Sequence, residues 1–241
     1  MDRLIVLVLT CDRLDYTKRT VDSFLELNYS QMHEVGLQFD LFYADDASIG
    51  WDDMKAYMQS RGFICIHRNE TRAGCSPCTR DALLKCLHIG RKREASWGYK
   101  YGLLYLQNDW ESAASLPPLA SLRTIFSDKA VGWMRLYGAF KDKEQKQPVS
   151  GKHLGNGKLA NWMPYSRYKG MEVAQIHWCY NPSITRLGLI KPLFSEPVSR
   201  ESDVIHRSAK LSSYVAVRYP DNVMYHIGDV VTPGGMFGRQ K

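Results

Sequence analysis

Acids and arginines recur in this sequence just past short apolar runs. Thr10, Cys11, Asp12 and Arg13 follow LIVLVL, and Asp45, Asp46 and Ser48 follow FDLFYA. Arg68, Asn69, Arg72 and Gly74 follow FICIH, Asn108 and Asp109 follow a run ending in LYLQ, and His226 and Asp229 accompany the last apolar segment. Carboxylates offer hard oxygen ligands to a divalent cation that keeps open positions for phosphate oxygens, and arginines match phosphate geometry. Taken singly, a carboxylate after a strand is more often a turn-former or a helix cap than a ligand. Their recurrence at one kind of position carries the weight, so the question becomes what elements deliver them.

Leu4–Leu9 reads as a buried strand, and residues 16–27 follow at helical spacing with Val21, Phe24 and Leu25 on one face and Asp15 available as a cap. The pattern then predicts a strand at Phe39–Ala44, a helix at Trp51–Arg61, a strand at Phe63–His67, a helix at Ser76–Leu87 with Pro77 in its first turn, and a strand at Leu103–Gln107. Such alternation predicts an α/β fold with a mostly parallel sheet flanked by helices, in which ligands sit beyond the carboxyl ends of the strands. The acids and arginines all fall on that rim.

The second half is less regular. Val131–Tyr137 and Val173–Tyr180 read as strands, Pro182–Ile190 and Ser202–Lys210 as helices, and Val223–Ile227 as a last strand. Residues 141–170 are polar, Gly-rich and basic, with Trp162, Tyr165 and Tyr168 near their end. They read either as an acceptor platform of rings and lysines or as a solvated loop. With no repeat and no linker in its 241 residues, the chain reads as a single domain.

A formal charge of +7 and a pI near 9.0 favour phosphorylated partners: nucleotides, nucleic acid or an anionic membrane surface. The first apolar run is six residues long, too short for a membrane span or a signal-peptide core, so a soluble, cytoplasmic protein is expected. Six cysteines spread through a chain of this size fit reduced, buried thiols better than a disulfide framework. Cys75-Ser76-Pro77-Cys78 invites a zinc reading with Cys65, His67, Cys86 and His88. On the predicted helix, however, Cys86 and His88 lie roughly 12–15 Å below the first turn at 1.5 Å per residue, too far to share one ion with it.

Several of these stretches together resemble the GT-A glycosyltransferases, most closely their family-2-like members. VLTCDRLDYTKRTVDSFLE is similar to their opening strand, donor loop and first helix, FYADDAS to their acidic pair, and RNETRAGCSPCTRDALL to the Gly-containing loop and helix after strand three. LYLQNDW falls where that family carries its D-x-D metal motif, YNPSITR resembles the opening of the acceptor half, SRESDVIHR stands at an acidic acceptor-side motif, and MYHIGD at a metal-binding His. The likeness is continuous over about residues 4–110, the nucleotide-sugar half, with islands through the acceptor half at 111–241.

The resemblance implies transfer of a sugar from a nucleotide diphosphate donor, UDP-linked by family preference, to a hydroxyl acceptor with inversion. It implies that Thr10, Arg13, Asp45, Asp46, Arg72 and Asn108 contact the donor. Asp109 and His226 would then hold Mn²⁺ or Mg²⁺, and Glu201 or Asp203 would be the base, Asp203 fitting a helix cap equally well. The acceptor is either an envelope glycan or a hydroxylated nucleic acid. One departure weakens the metal site: the first position of D-x-D is Gln107, whose amide cannot neutralise a cation. Two other classes stay open. A nucleotidyltransferase normally carries a Gly- and Arg-rich phosphate loop after its first strand, where this chain has TCDRLD without Gly. A non-catalytic glycan- or nucleic-acid-binding module would explain the weakened motif.

Overall fold

The computed structural model describes residues 1–33, 38–136, 163–164, 172–174, 178, 180–211, 213–218 and 223–227. β1 (Arg3–Thr10) lies between β2 (Gln38–Asp46) and β4 (Tyr101–Gln107), both parallel to it, and β3 (Ile64–Asn69) extends the sheet beyond β2. Register puts Thr10 opposite Asp45, Asp45 opposite Arg68 and Leu9 opposite Gln107, so the polar residues after all four strands share one rim.

β1 alternates between two cores. Leu4, Val6 and Val8 face α1 (Leu14–His33), α2 (Trp51–Ser60) and α4 (Leu119–Ser127) through Val21, Phe24, Met54, Met58, Leu122 and Ile125. Ile5, Leu7 and Leu9 face α3 (Cys75–Trp97), α5 (Ile190–Phe194) and α6 (Glu201–Ala209) through Cys78, Ala82, Leu83, Leu193 and Val204. Burial on both faces is what a continuous apolar run such as LIVLVL requires.

Beyond β4 the sheet continues through β9 (Ser183–Arg186), β6 (Val131–Arg135), β10 (Val215–Arg218), β8 (Glu172–Ala174) and β7 (Met163–Pro164). β9 and β8 run against the direction of the others, so the sheet is mixed but mostly parallel in orientation. β5 (Trp110–Ser112) and β11 (Met224–His226) form a separate antiparallel ribbon.

Five expectations are corrected. Pro182–Ile190 is not a helix: Ser183–Arg186 is a strand wedged between β4 and β6, followed by a 3₁₀ turn at Leu187–Leu189. Its β-branched Ile184 and Thr185, both fully buried, suit a central strand. The third helix runs ten residues past Leu87, to Trp97, where Gly98 at φ +71° takes the left-handed position that ends it. The strand expected over Val173–Tyr180 is confined, among the described residues, to Glu172–Ala174, and Trp178 and Tyr180 lie outside any strand. The last strand is in the ribbon with β5 instead of the main sheet. Asp15 is inside the first turn of α1, not before it. The 141–170 segment lies outside the described residues apart from β7. No described helix is long and apolar enough to cross a membrane.

Candidate active site

Asp45 is fully buried at the end of β2. Its carboxylate accepts hydrogen bonds from Thr10 Oγ1 at 2.8 Å, from the Ser48 backbone N–H at 2.8 Å and from the Ser48 hydroxyl. Asp46, 1% exposed, accepts from Asn69 Nδ2 at 2.7 Å and from the N–H groups of Ala73 and Gly74 at 2.9 and 2.8 Å. The acidic pair therefore braces two loops: Asp45 the turn after β2, and Asp46 the loop that leads into α3.

The loop after β1 is held in an uncommon conformation. Asp12 and Arg13 have φ of +52° and +54°, and Ala47 in the facing turn has +55°. Residues other than glycine pay to sit there, and such positions persist only where surrounding contacts impose them. Those contacts are present. Asp12 N–H donates to Ser48 Oγ at 2.7 Å, Asp12 Oδ1 accepts from Ile49 N–H at 2.8 Å, and Arg72 pairs with Asp12 Oδ2. Burial works against the Asp12 carboxylate, but the Ile49 N–H and the Arg72 guanidinium outweigh it and hold its pKa below the ordinary value. Asn108, buried at the end of β4, donates to the Asp12 carbonyl and to Thr17 Oγ1, both at 3.3 Å.

These bonds bring Thr10, Arg13, Asp45, Asp46, Arg72, Asn108 and Asp109 to one rim. Arg13, Arg68 and Arg72 are exposed cations there, and Arg13 Nη1 lies 3.9 Å from Asp109 Oδ2. His226 reaches the same place through the ribbon: it pairs with Trp110, and Ile227 N–H donates to the Asp109 carbonyl at 2.8 Å. Backbone pairing thus sets His226 opposite Trp110 and Ile227 opposite Asp109, residues 116 and 118 positions apart in the sequence.

Gln107 turns to the other side, where its Nε2 donates to Cys75 Sγ at 3.2 Å. Cys75 is exposed at the start of α3, unlike Cys78 and Cys86, whose thiols are buried and pushed up by that burial. Behind it Tyr105 and Thr79 share a 3.0 Å hydroxyl contact, and Tyr180 packs on Tyr105 with centroids 6.0 Å apart. Glu201 belongs to this side: its Oε1 accepts from Tyr180 N–H at 2.9 Å, and burial, with a smaller contribution from the Glu201 charge, raises the pKa values of Tyr180 and Cys75.

Asp203 is engaged elsewhere. It accepts from Ser199 N–H and Oγ and from Arg200 N–H at 2.9, 2.8 and 3.1 Å, closing the capping box of α6. Those bonds lower its pKa to about 2.

Sequence reasoning gave no role to Ser48, Gln107's partner Cys75, or Tyr180. Ser48 carried a signal, since a serine three residues after an acid can close a hydrogen-bonded turn. The Gln107–Cys75 contact joins residues 32 apart and had none.

Among the described residues no three His, Cys, Asp or Glu side chains gather into a group that could hold a metal ion, so a divalent cation would depend on a smaller donor set. Asp109, its side chain 18% exposed, is a carboxylate at the rim, and the backbone of His226 pairs with that of the adjoining Trp110. One carboxylate and one imidazole suit an ion whose remaining positions are filled by phosphate oxygens and water. Gln107, turned to Cys75, is not part of that set.

No family model and no curated protein matches this chain. Solved structures do. S. aureus TarS superposes with a TM-score of 0.60 at 13% identity, over 93% of this chain and 36% of that one. A TarS fragment, residues 1–349, in complex with UDP-GlcNAc gives 0.55 at 11% identity, over 92% of this chain and 58% of that one. The mannosyltransferase PcManGT from Pyrobaculum calidifontis, in complex with GDP-Man and Mn²⁺, gives 0.56 at 16% identity, over 96% and 58%. The chain spans between about a third and three fifths of the length of these structures. With its strand order, its rim and these likenesses together, the chain has the GT-A fold of the nucleotide-diphospho-sugar transferases.

Proposed function

We propose that this protein is a glycosyltransferase that moves a sugar from a nucleotide diphosphate donor, UDP-linked by preference, to a hydroxyl acceptor with inversion. The observation that carries the reading is the rim itself: two loops fixed by buried Asp45 and Asp46 present Arg13, Arg72 and Asp109 at one place beyond the carboxyl ends of β1–β4.

In this reading Thr10, Asp45 and Asn108 position the donor loop, and Asp46 positions the loop carrying Arg72. Arg72 and Arg13 contact the base or the diphosphate. Asp109, with His226, would hold Mn²⁺ or Mg²⁺, which when bound would supply positive charge against the departing diphosphate. Arg13, close to Asp109, adds to that field. Glu201 takes the proton of the acceptor hydroxyl as its oxygen bonds to the anomeric carbon. The bond to the diphosphate breaks and its electron pair leaves with the nucleoside diphosphate. Asp203, committed to the α6 cap, serves the helix.

The test is a screen of nucleotide sugars with and without Mn²⁺, reading release of nucleoside diphosphate in the absence of acceptor. Slow release from one donor is expected. If no donor binds or is hydrolysed, the non-catalytic module replaces this reading.

A further inference from the structure

Two arginines converge on the residues just ahead of Glu201. Arg80, in the second turn of α3, turns the Nε edge of its guanidinium to them: Nε donates to the Glu196 carbonyl at 3.0 Å and Nη2 to that of Ser195 at 3.4 Å. Its Nη1 is taken by Asp81 Oδ1 at 2.6 Å, which fixes the plane of the fork. Arg207, in α6, donates from Nη1 to the Leu193 and Glu196 carbonyls at 3.1 and 3.0 Å and from Nη2 to that of Pro197 at 2.6 Å. The two side chains are 25% and 16% exposed, so water screens these bonds only in part.

A basic side chain on the last carbonyls of a helix such as α5 is an ordinary cap. Arg207 fits that description, since it stands in the next helix and closes its own neighbourhood. Arg80 comes from 116 positions before Glu196 and ties the segment to a helix of the other half of the chain. That helix is itself anchored at the rim, where Gly74, its cap, gives its N–H to Asp46. From Glu196 the constraint runs on to the base. Val198, 4% exposed, packs in the core that includes Cys78 and Ala82 of α3; the Ser199 and Arg200 N–H groups are held by Asp203; and Glu201 opens α6. Glu201 in turn lies close enough to Cys75, the first residue of α3, for its charge to act on the thiol. The segment thus meets α3 at Arg80 and at Cys75, roughly 7.5 Å apart along the helix at 1.5 Å per residue.

We propose that Arg80 is a positioning residue for the base: through the Ser195 and Glu196 carbonyls it sets where Glu201 stands relative to α3, and so relative to the rim on which α3 is anchored. The role of Glu201 as base rests on the glycosyl-transfer reading, whereas its placement by Arg80 does not. A lysine at this position keeps a charged donor for one carbonyl but loses the fork, so Arg80→Lys should recover part of what Arg80→Gln loses.

The reporter is the Tyr180 amide, whose N–H donates to Glu201 Oε1 at 2.9 Å. In the full chain labelled with ¹⁵N-tyrosine its cross-peak is the one absent from Tyr180→Phe, and Glu201→Gln marks where it stands without the carboxylate. Arg80→Gln is expected to move the peak towards that position, and Arg80→Lys to move it less. The proposal is overturned if the peak of a natively folded Arg80→Gln chain stays with the parent or moves the other way; should that variant not fold, Arg80→Lys decides by the same criterion. With a nucleotide sugar that the parent hydrolyses, Arg80→Gln should lower kcat ~10–10²-fold at an unchanged KM, the effect of a displaced catalytic group. A raised KM with kcat intact would overturn the proposal as well. A parent that hydrolyses no nucleotide sugar removes the transfer reading, and the Tyr180 peak still decides the placement.

Discussion

Glu201 and Asp203 are two residues apart, yet their surroundings assign them different work. Glu201 turns inward to Tyr180 N–H, beside the Cys75–Gln107 contact, and Asp203 turns back on Ser199 and Arg200. Glu201→Gln should reduce turnover by ~10²–10⁴, the usual worth of a general base, while donor binding and melting temperature hold. Asp203→Asn should leave most of the turnover but loosen α6. That cap also carries a pH signature. Its pKa falls from 3.8 to about 2 on folding, so its contribution is complete above pH 3.8 and disappears as pH drops through about 2. Circular dichroism of the Asp203→Asn chain should therefore show a weaker acid transition in that window than the parent. Comparable losses of turnover in both variants would undo the division of roles.

Among the elements, α3 shows how closely the helical layer meets the sheet. A Cβ placed on Gly90 would stand 2.4 Å from Leu187 Cδ2 and 3.2 Å from Ile5 Cδ1, and both neighbours are buried. Glycine inside a helix ordinarily costs about 1 kcal/mol relative to alanine, so Gly90→Ala would stabilise an isolated helix. Here the overlap should win, because overpacking a filled core costs ~1–3 kcal/mol. Urea denaturation should report a net loss, and an unchanged or higher midpoint would mean that Leu187 moves aside freely.

The same layer explains what the sequence made legible. β1 to β4 and the helices between them announce themselves because each strand is a short apolar run and each helix has one apolar face. The rim residues follow from strand ends alone. Ser183–Arg186 defeats that reasoning: a buried antiparallel strand inserted between two parallel ones has no alternation, and its place depends on β4 and β6, nearly 80 and 50 residues upstream. β5 is three residues long and exists through pairing with β11. The burial of Asp45 and Asp46 was equally hidden, since an acidic pair after a strand looks the same whether it faces a ligand or the chain's own N–H groups.

At the scale of the whole molecule, the β5–β11 ribbon couples the middle of the chain to a strand more than a hundred residues later, beside the candidate ligand site. Asp109 leaves β4 at the rim and His226 arrives in β11, the two segments joined by the pairing of His226 with Trp110 and by the Ile227–Asp109 hydrogen bond. A donor with its cation that binds there binds only the folded arrangement, because the unfolded chain holds these residues 117 positions apart. Mass action then stabilises the fold by about 2.7 kcal/mol at a hundredfold excess over Kd. Donor plus Mn²⁺ should therefore raise the melting temperature of the parent by several degrees, with neither alone matching the pair. Asp109→Asn should melt near the parent when nothing is bound, since its backbone carbonyl still serves Ile227, and should lose the ligand-induced rise. His226→Ala should show a smaller rise than the parent. An Asp109→Asn chain that gains as much from donor and Mn²⁺ as the parent would remove the carboxylate from the cation site and leave Arg13 and Arg72 as the groups that carry the diphosphate.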